Sequence, residues 1–404
     1  MDSATIETVF REEHGRAIAS LVRRFGDIDV AEEAVQEAFL EAVRRWPIQG
    51  VPPSPAGWII TTASNRAIDR FRRESLREDR QRQAIALMDT EMWNDTQDID
   101  DDRLRLIFTC CHPSLAPEAQ IALTLRLIGG LSTPQVARAF LSSEATMAQR
   151  LVRAKRKIKA ANIPYRVPSE PEMPSRLRAV LAVVYLVFNE GFVSSTGSDL
   201  VRDDLASEGL RLARLLAELM PDEPEVIGLL ALLLLTQARR PARLDKQGTL
   251  IRLADQDRSI WDRGLIDEGH ELVRCCLRRK SPGPYQIQAA ISAVHTEAKT
   301  AEDTDWSQIL ALYDQLAAMD RSPVVTLNRA IALAEFVGPE EAIMAVEPLP
   351  LDGYYLYHAT LGDLLARLGR LKEARAAFQS AVGLTENETE RAYLTSRIAD
   401  LHLD

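Results

Sequence analysis

Residues 116–158 read APEAQIALTLRLIGGLSTPQVARAFLSSEATMAQRLVRAKRKI, and the punctuation of this stretch decides how the chain folds. Ile121, Leu123, Leu125 and Leu127 mark the apolar positions of a first helix, which Gly129-Gly130 stops. Ser132 or Thr133 then offers an N-cap, with Pro134 in the first turn, where its missing N–H costs nothing. Val136, Ala137 and Phe140 form one apolar stripe, Ser142-Ser143 make the turn, and a last helix runs from Thr146 to Ile158. It carries Arg150, Arg153, Lys155, Arg156 and Lys157, with Lys159 just beyond, and no acid follows Glu144 in the segment. Two small helices joined by a short polar turn, the second of them basic, are how a recognition helix is delivered to the DNA major groove. A solvated helix face would carry the same charges. The cap, helix and turn that precede it favour the DNA reading.

The rest of the chain fits around that element. At 404 residues it has length for two or three domains with real cores. A hydrophobic fraction of 46% with only 6% aromatics suits an α-rich globular protein. The net charge of -10 argues against a general nucleic-acid coat, so DNA contact must come from local basic patches, with affinity supplied by a larger partner. MDSATIETVF has neither a basic nor an apolar leader segment, and the most apolar run, Val226 to Leu235, is about half a membrane span; a cytoplasmic location is expected. The four cysteines form two vicinal pairs, Cys110-Cys111 and Cys275-Cys276. That spacing suits neither a disulfide framework nor a structural zinc site, and the pairs read as small buried hydrophobes in a reducing compartment. No metal and no cofactor is expected, and without a P-loop, GxGxxG or GxSxG motif an enzyme has no support.

Period-3.6 spacing dominates and no run alternates as a strand does, so the expected fold is all-α. Residues 1–75 make a first helical unit: Val9 to Phe25, then Asp29 to Trp46 capped by Asp29, a Pro-rich loop from Pro47 to Pro55, and a helix from Gly57 to Arg73. Residues 76–101 pass from basic to acidic and read as a tether. Residues 102–163 hold the helix-turn-helix, and a second Pro-rich linker, Ile163 to Pro174, leads into residues 175–404. There Leu361-Gly362, Leu365, Gly369, Ala374, Phe378 and Ala381 take the small and large positions of a tetratricopeptide-type (TPR) hairpin. Ala330, Leu333, Gly338, Ala342 and Val346 repeat that order one period earlier.

The order of these parts resembles an RNA polymerase sigma factor of the extracytoplasmic-function (ECF) type. Asp29 to Leu40 is similar to the segment that docks on the polymerase clamp, Ala56 to Arg73 to the helix that opens the promoter -10 element, and Ala116 to Lys159 to the domain that reads the -35 element. Phe108 to Pro113 and Tyr185 to Gly191 resemble runs of the ECF subgroup whose core is fused to a C-terminal helical-repeat domain. The resemblance implies core RNA polymerase, through its clamp and flap regions, and promoter DNA as partners. It assigns polymerase docking to Asp29, Glu32, Glu33, Gln36, Glu37 and Phe39. It gives the -10 contacts to Trp58, Asn65, Arg66, Asp69, Arg70 and Arg73, with Asn65 and the 47–55 loop reading a flipped base and core packing the competing role for Trp58. In the -35 domain Thr146 is a further DNA contact, Gln149, Arg150 and Arg153 are the expected base-edge readers, and Lys155, Arg156 and Lys157 hold phosphates. The chain departs from the family pattern at Ala148, where a basic residue is customary, and at Gln135, where the family has Glu. The repeat array would be a fused regulatory domain that docks on the sigma core, on polymerase or on a regulatory protein. The rival reading is a helix-turn-helix regulator with a peptide- or ligand-sensing repeat domain, independent of polymerase. A scaffold that binds peptides in its repeat groove is a third.

Overall fold

The computed structural model describes residues 3–75, 96–140, 142–192, 196–197, 203–245 and 248–401. The fold is all-α, and the chain divides into two compact units, residues 1–183 and 184–404. Among the described residues the extended pairings are one pair of two-residue parallel strands, Thr196–Gly197 with Glu386–Asn387, and an isolated antiparallel bridge between Leu244 and Leu250, all in the second unit. Among the described residues no helix is long and apolar enough to cross a membrane.

The first unit opens with α1 (Ser3–Phe25), α2 (Ile28–Gln49) and α3 (Pro55–Ser75). The cap of α2 is Asp27 rather than Asp29: its Oδ1 accepts the Asp29 and Val30 N–H groups at 2.8 and 3.2 Å. The helix runs through Pro47, which is exposed, and ends where Gly50 turns to φ 83°. The Pro-rich loop is therefore shorter than expected. Ala31, Ala34, Val35, Ala38, Ala42 and Trp46 of α2 bury against the core with Ile18 and Leu21 of α1 and Ile59 and Ala63 of α3. Helix α4 (Thr96–Cys110) begins inside the stretch expected to be tether, whose residues 76–95 lie outside the described residues. Its Asp102 is buried and held by Arg105 at 2.9 Å and Arg23 at 3.6 Å.

The helix-turn-helix follows the punctuation of its sequence. Helix α5 (Pro117–Leu123) widens into a π turn over Thr124–Ile128, closed by Gly129 N–H to the Thr124 carbonyl at 3.0 Å. Gly130 at φ 72° then allows Leu131 N–H to reach back to the Leu125 carbonyl, the usual left-handed helix stop. Helix α6 (Thr133–Ala139) starts with a reciprocal cap. Ser132 N–H donates to Gln135 Oε1 at 2.7 Å, and Gln135 N–H donates to Ser132 Oγ at 3.4 Å. Gln135 thus does the capping work of a Glu at that position. Helix α7 (Glu144–Ala160) begins two residues before the expected start because Ser143 caps it through the Thr146 N–H.

Residues 1–75 and 102–163, separate units by their sequence, pack into one body. Gly15 of α1 lies so close to the π turn that a Cβ there would stand 2.8 Å from the Ile128 carbonyl oxygen. The Tyr165 hydroxyl lies 2.7 Å from the Ala19 carbonyl oxygen and 3.0 Å from that of Asp102, so α1 and α4 share one anchor.

Helix α8 (Met173–Phe192) contains the point at which the two units divide. The second unit continues with α9 (Asp203–Leu219), α10 (Pro224–Ala238), α11 (Arg263–Arg279), α12 (Pro284–Glu297), α13 (Trp306–Met319), α14 (Pro323–Phe336), α15 (Pro339–Val346), α16 (Tyr355–Arg367), α17 (Leu371–Leu384) and α18 (Glu388–Ala399). Helix α10 is apolar all round and nearly all buried, so it forms the unit's spine. The expected hairpins are α14–α15 and α16–α17. Ala330, Ala342 and Val346 are buried in the first, as are Leu365, Ala374, Phe378 and Ala381 in the second, where the Phe378 ring lies against Gly362.

Gly15→Val should lower the unfolding midpoint of the chain, because backbone on the far side cannot retreat; a loss of about 1–3 kcal/mol is expected. Gly383→Ala, on the open side of α17 with nothing within 4 Å of the new Cβ, should be neutral or stabilising by up to about 1 kcal/mol. Parallel thermal and urea melts of the two variants check this.

Candidate nucleic-acid interface

Helical phase sorts the basic residues of α7. Met147, Leu151, Ala154 and Ile158 are buried, which leaves Thr146, Gln149, Arg153, Arg156 and Lys157 together on the exposed side. Arg153 reaches Gln149 Oε1 at 3.5 Å, and Arg150 lies half-buried with its guanidinium 5.3 Å from the Phe140 ring centre. Among the described residues no acid pairs with Arg153, Arg156 or Lys157. A helix face that holds Gln and Arg clear of counter-ions has the donors to meet base edges and phosphates.

Lys155 does not join that face. It lies nearly opposite Thr146, where its Nζ meets Glu32 Oε2 at 3.0 Å and also pairs with Asp29. Glu32 in turn accepts from Arg126 Nε at 2.6 Å, and Lys159 lies 3.4 Å from Asp27. Burial by itself would raise the Glu32 carboxyl, but the adjacent Arg126 and Lys155 charges outweigh it and hold the group below its ordinary range. Burial would likewise lower Lys155, and the Glu32 and Asp29 carboxylates reverse that and hold it higher. Two residues expected to dock on polymerase and one expected to hold phosphate therefore neutralise each other. The 3.6-residue phase of α7 already places Lys155 off the basic face.

On α2 the docking assignment needs a second correction. Phe39 is only 4% exposed, with its ring centre 4.5 Å from that of Phe10, so it is core and offers no ridge to a partner. The exposed apolar residues beside Glu33, Gln36 and Glu37 are Leu40, 59% exposed, and Val43, 54% exposed, which the sequence reading missed. Their signal was the spacing 33, 36, 37, 40, 43, out of phase with buried Val35 and Phe39.

Helix α3 presents Asn65, Arg66 and Asp69 to solvent, with Arg70 half-buried. Arg66 lies 3.6 Å from Glu41 and 3.9 Å from Glu37, and Arg70 pairs with Glu33, so the cations of α3 sit along the acids of α2. Trp58 is half-buried, with its ring edge-on to that of buried Trp46 at 5.4 Å. This is a packing role at the start of α3. The side chains of Arg72 and Arg73 lie outside the described residues.

The two short runs singled out in the sequence have packing reasons. Phe108, Cys110 and Cys111 are buried, the Phe108 carbonyl accepts from Arg176 Nη2 at 2.5 Å, and burial pushes the Cys111 thiol up to about 12. In the 185–191 run, Gly191 lets α8 approach the backbone of Leu205 and Ala206 more closely than any side chain would permit.

Comparison with known proteins agrees with this layout. Residues 10–77 match sigma-70 region 2 and residues 105–158 match sigma-70 region 4. Residues 176–277 match a family of unknown function, DUF6596. A probable ECF RNA polymerase sigma factor SigI of Mycobacterium tuberculosis is 29% identical over 163 residues, which cover 39% of this chain and 56% of that protein. The ECF RNA polymerase sigma factor SigK of Mycobacterium ulcerans is 28% identical over 140 residues, 34% of this chain and 74% of that protein. An uncharacterised protein of Rhizobium meliloti is 44% identical over 415 residues, covering 99% of this chain and 96% of its own. The chain belongs to the same family as this Rhizobium meliloti protein, and its first 158 residues carry the region 2 and region 4 modules of an ECF-like sigma factor.

Proposed function

We propose that the protein joins core RNA polymerase, reads promoter -10 and -35 elements, and starts transcription, with residues 175–404 as a fused TPR-like regulatory domain. The observation that carries this reading is the uncompensated face of Thr146, Gln149, Arg153, Arg156 and Lys157 on a capped helix-turn-helix, in a chain whose residues 10–77 and 105–158 match sigma-70 regions 2 and 4. An HTH regulator that works without polymerase needs the first element but has no use for a region 2. In the proposed mechanism Gln149 and Arg153 meet base edges, and Arg156 and Lys157 hold the flanking phosphates. Glu33, Gln36 and Glu37 steer α2 toward a basic partner, and Leu40 and Val43 provide the desolvated contact that gives affinity. Asn65, whose amide both donates and accepts, meets a base extruded from the duplex. In this reading a charged surface of polymerase or DNA that parts the region 2 and region 4 modules does so by breaking the Glu32 bridges to Arg126 and Lys155.

Three outcomes follow from these assignments. Arg153→Ala should cost about 1–3 kcal/mol in promoter discrimination, read as loss of start-site-specific transcripts with added core polymerase on genomic templates. Leu40→Asp should abolish co-elution with core polymerase while leaving the circular dichroism spectrum and melting curve of the free chain unchanged. Glu32→Gln should destabilise the free chain by about 1–3 kcal/mol at neutral pH. Because the Glu32 carboxyl is held below its ordinary 4.5, its contribution is complete above that pH and fades as the pH falls through the lowered value. The melting difference between wild type and E32Q should therefore close on acidification; a constant difference from pH 7 to pH 3 contradicts the bridge.

A further inference from the structure

Ala145, Gln149, Val152 and Arg156 follow the four-three-four spacing that sets side chains in one row along α7, and all four are exposed. The row lies opposite the buried Met147, Leu151, Ala154 and Ile158. Ser143 Oγ accepts the Thr146 N–H at 3.2 Å and meets the Thr146 hydroxyl at 2.8 Å, which fixes the first turn and with it the line of the row. Gln149 and Arg156 are its polar members, Ala145 and Val152 its apolar ones.

Local needs do not explain Val152. It is 41% exposed, and among the described residues of the region 4 match, 105–158, it is the only large hydrophobic residue in the open. A β-branched residue is also a weaker helix former than the Gln, Arg and Lys around it, because its χ1 is confined against the preceding turn. Val152 therefore gives the core little and the helix less. What it offers is a hydrocarbon surface between two side chains that the promoter reading assigns to DNA. The major groove presents one matching group, the C5-methyl of thymine, which apolar side chains recognise by contact. Gln149 can donate to N7 and accept from N6 of one adenine at the same time. From Gln149 to Val152 the helix rises about 4.5 Å, close to the ~3.4 Å that separates stacked base pairs. Val152 thus reaches the pair that adjoins the one met by Gln149.

We propose that Val152 is a specificity-determining residue, which packs on the C5-methyl of a thymine in the base pair next to the adenine read by Gln149. The -35 element then holds an adenine and a thymine in adjacent pairs. This inference rests on the promoter-reading function and gives that function a base content. In the test, the full chain with core polymerase selects start-site-specific transcripts from a template pool randomised upstream of the start. Each thymine of the selected element is then replaced in turn by deoxyuridine, which removes the methyl and keeps every hydrogen-bonding group. At one thymine, beside the adenine whose replacement matters to wild type and not to Gln149→Ala, deoxyuridine should weaken wild-type binding about fourfold, the worth of burying one methyl-sized group. Val152→Ser, a change at an exposed site that leaves the core intact, should bind the two templates equally. Wild-type indifference to deoxyuridine at every position overturns the proposal. So does an undiminished methyl effect in V152S, or a selected element with no adenine and thymine in adjacent pairs. Specific transcripts that ignore the methyl remove this inference alone, whereas no start-site-specific transcript on any template removes the promoter reading and this inference together.

Discussion

Glu32 sits between Arg126 and Lys155, and the arrangement of the first unit depends on that junction. The carboxylate belongs to region 2 and both cations to region 4. Each of the three is partly withdrawn from water, where an unpaired charge is expensive and a paired one merely tolerable. The bridge therefore contributes more to arrangement than to stability: alternatives that part the charges are penalised, and the close approach of Gly15 to Ile128 then fixes the spacing. The Tyr165 hydroxyl adds a third tie, to the carbonyl oxygens of Ala19 and Asp102. All three ties join segments distant in sequence, and only the electrostatic one can be released by a competing charged surface at little cost to the cores on either side.

That view separates two kinds of charge on the first unit. Asp29, Glu32 and Lys155 are engaged within the molecule, whereas Gln149, Arg153, Arg156 and Lys157 remain open. A net charge of -10 makes the distinction matter, since the open cations form a local island on an acidic chain. Phosphate attraction falls steeply with salt, so an island of four residues provides only modest attraction by itself.

Much of this was legible in the sequence where the signal is local. Gly129-Gly130, Ser132 and Pro134 fix the helix-turn-helix to within two residues, because each acts through its own backbone. Gly362 with Phe378 and Ala330 with Ala342 disclose the hairpins for the same reason: helices pair where small meets large. What sequence missed depends on distance or on phase. The Glu32 and Arg126 partners are 94 residues apart, and nothing local marks either as paired. Residue type alone makes Phe39 a ridge and Lys155 a phosphate contact, whereas helical phase places one in the core and turns the other inward.

The widened turn at Thr124–Ile128 carries one residue more than a regular helix would need there. All five of its residues are buried, and Arg126 stands in the middle, aimed at Glu32 by that extra residue. Excising a single residue would restore ordinary winding and swing the guanidinium by about 100° around the axis, away from its carboxylate. The helix itself would survive such a deletion. An insertion of this kind is thus an inexpensive evolutionary dial, able to couple or uncouple the two modules while leaving the residues that form the bridge themselves unchanged.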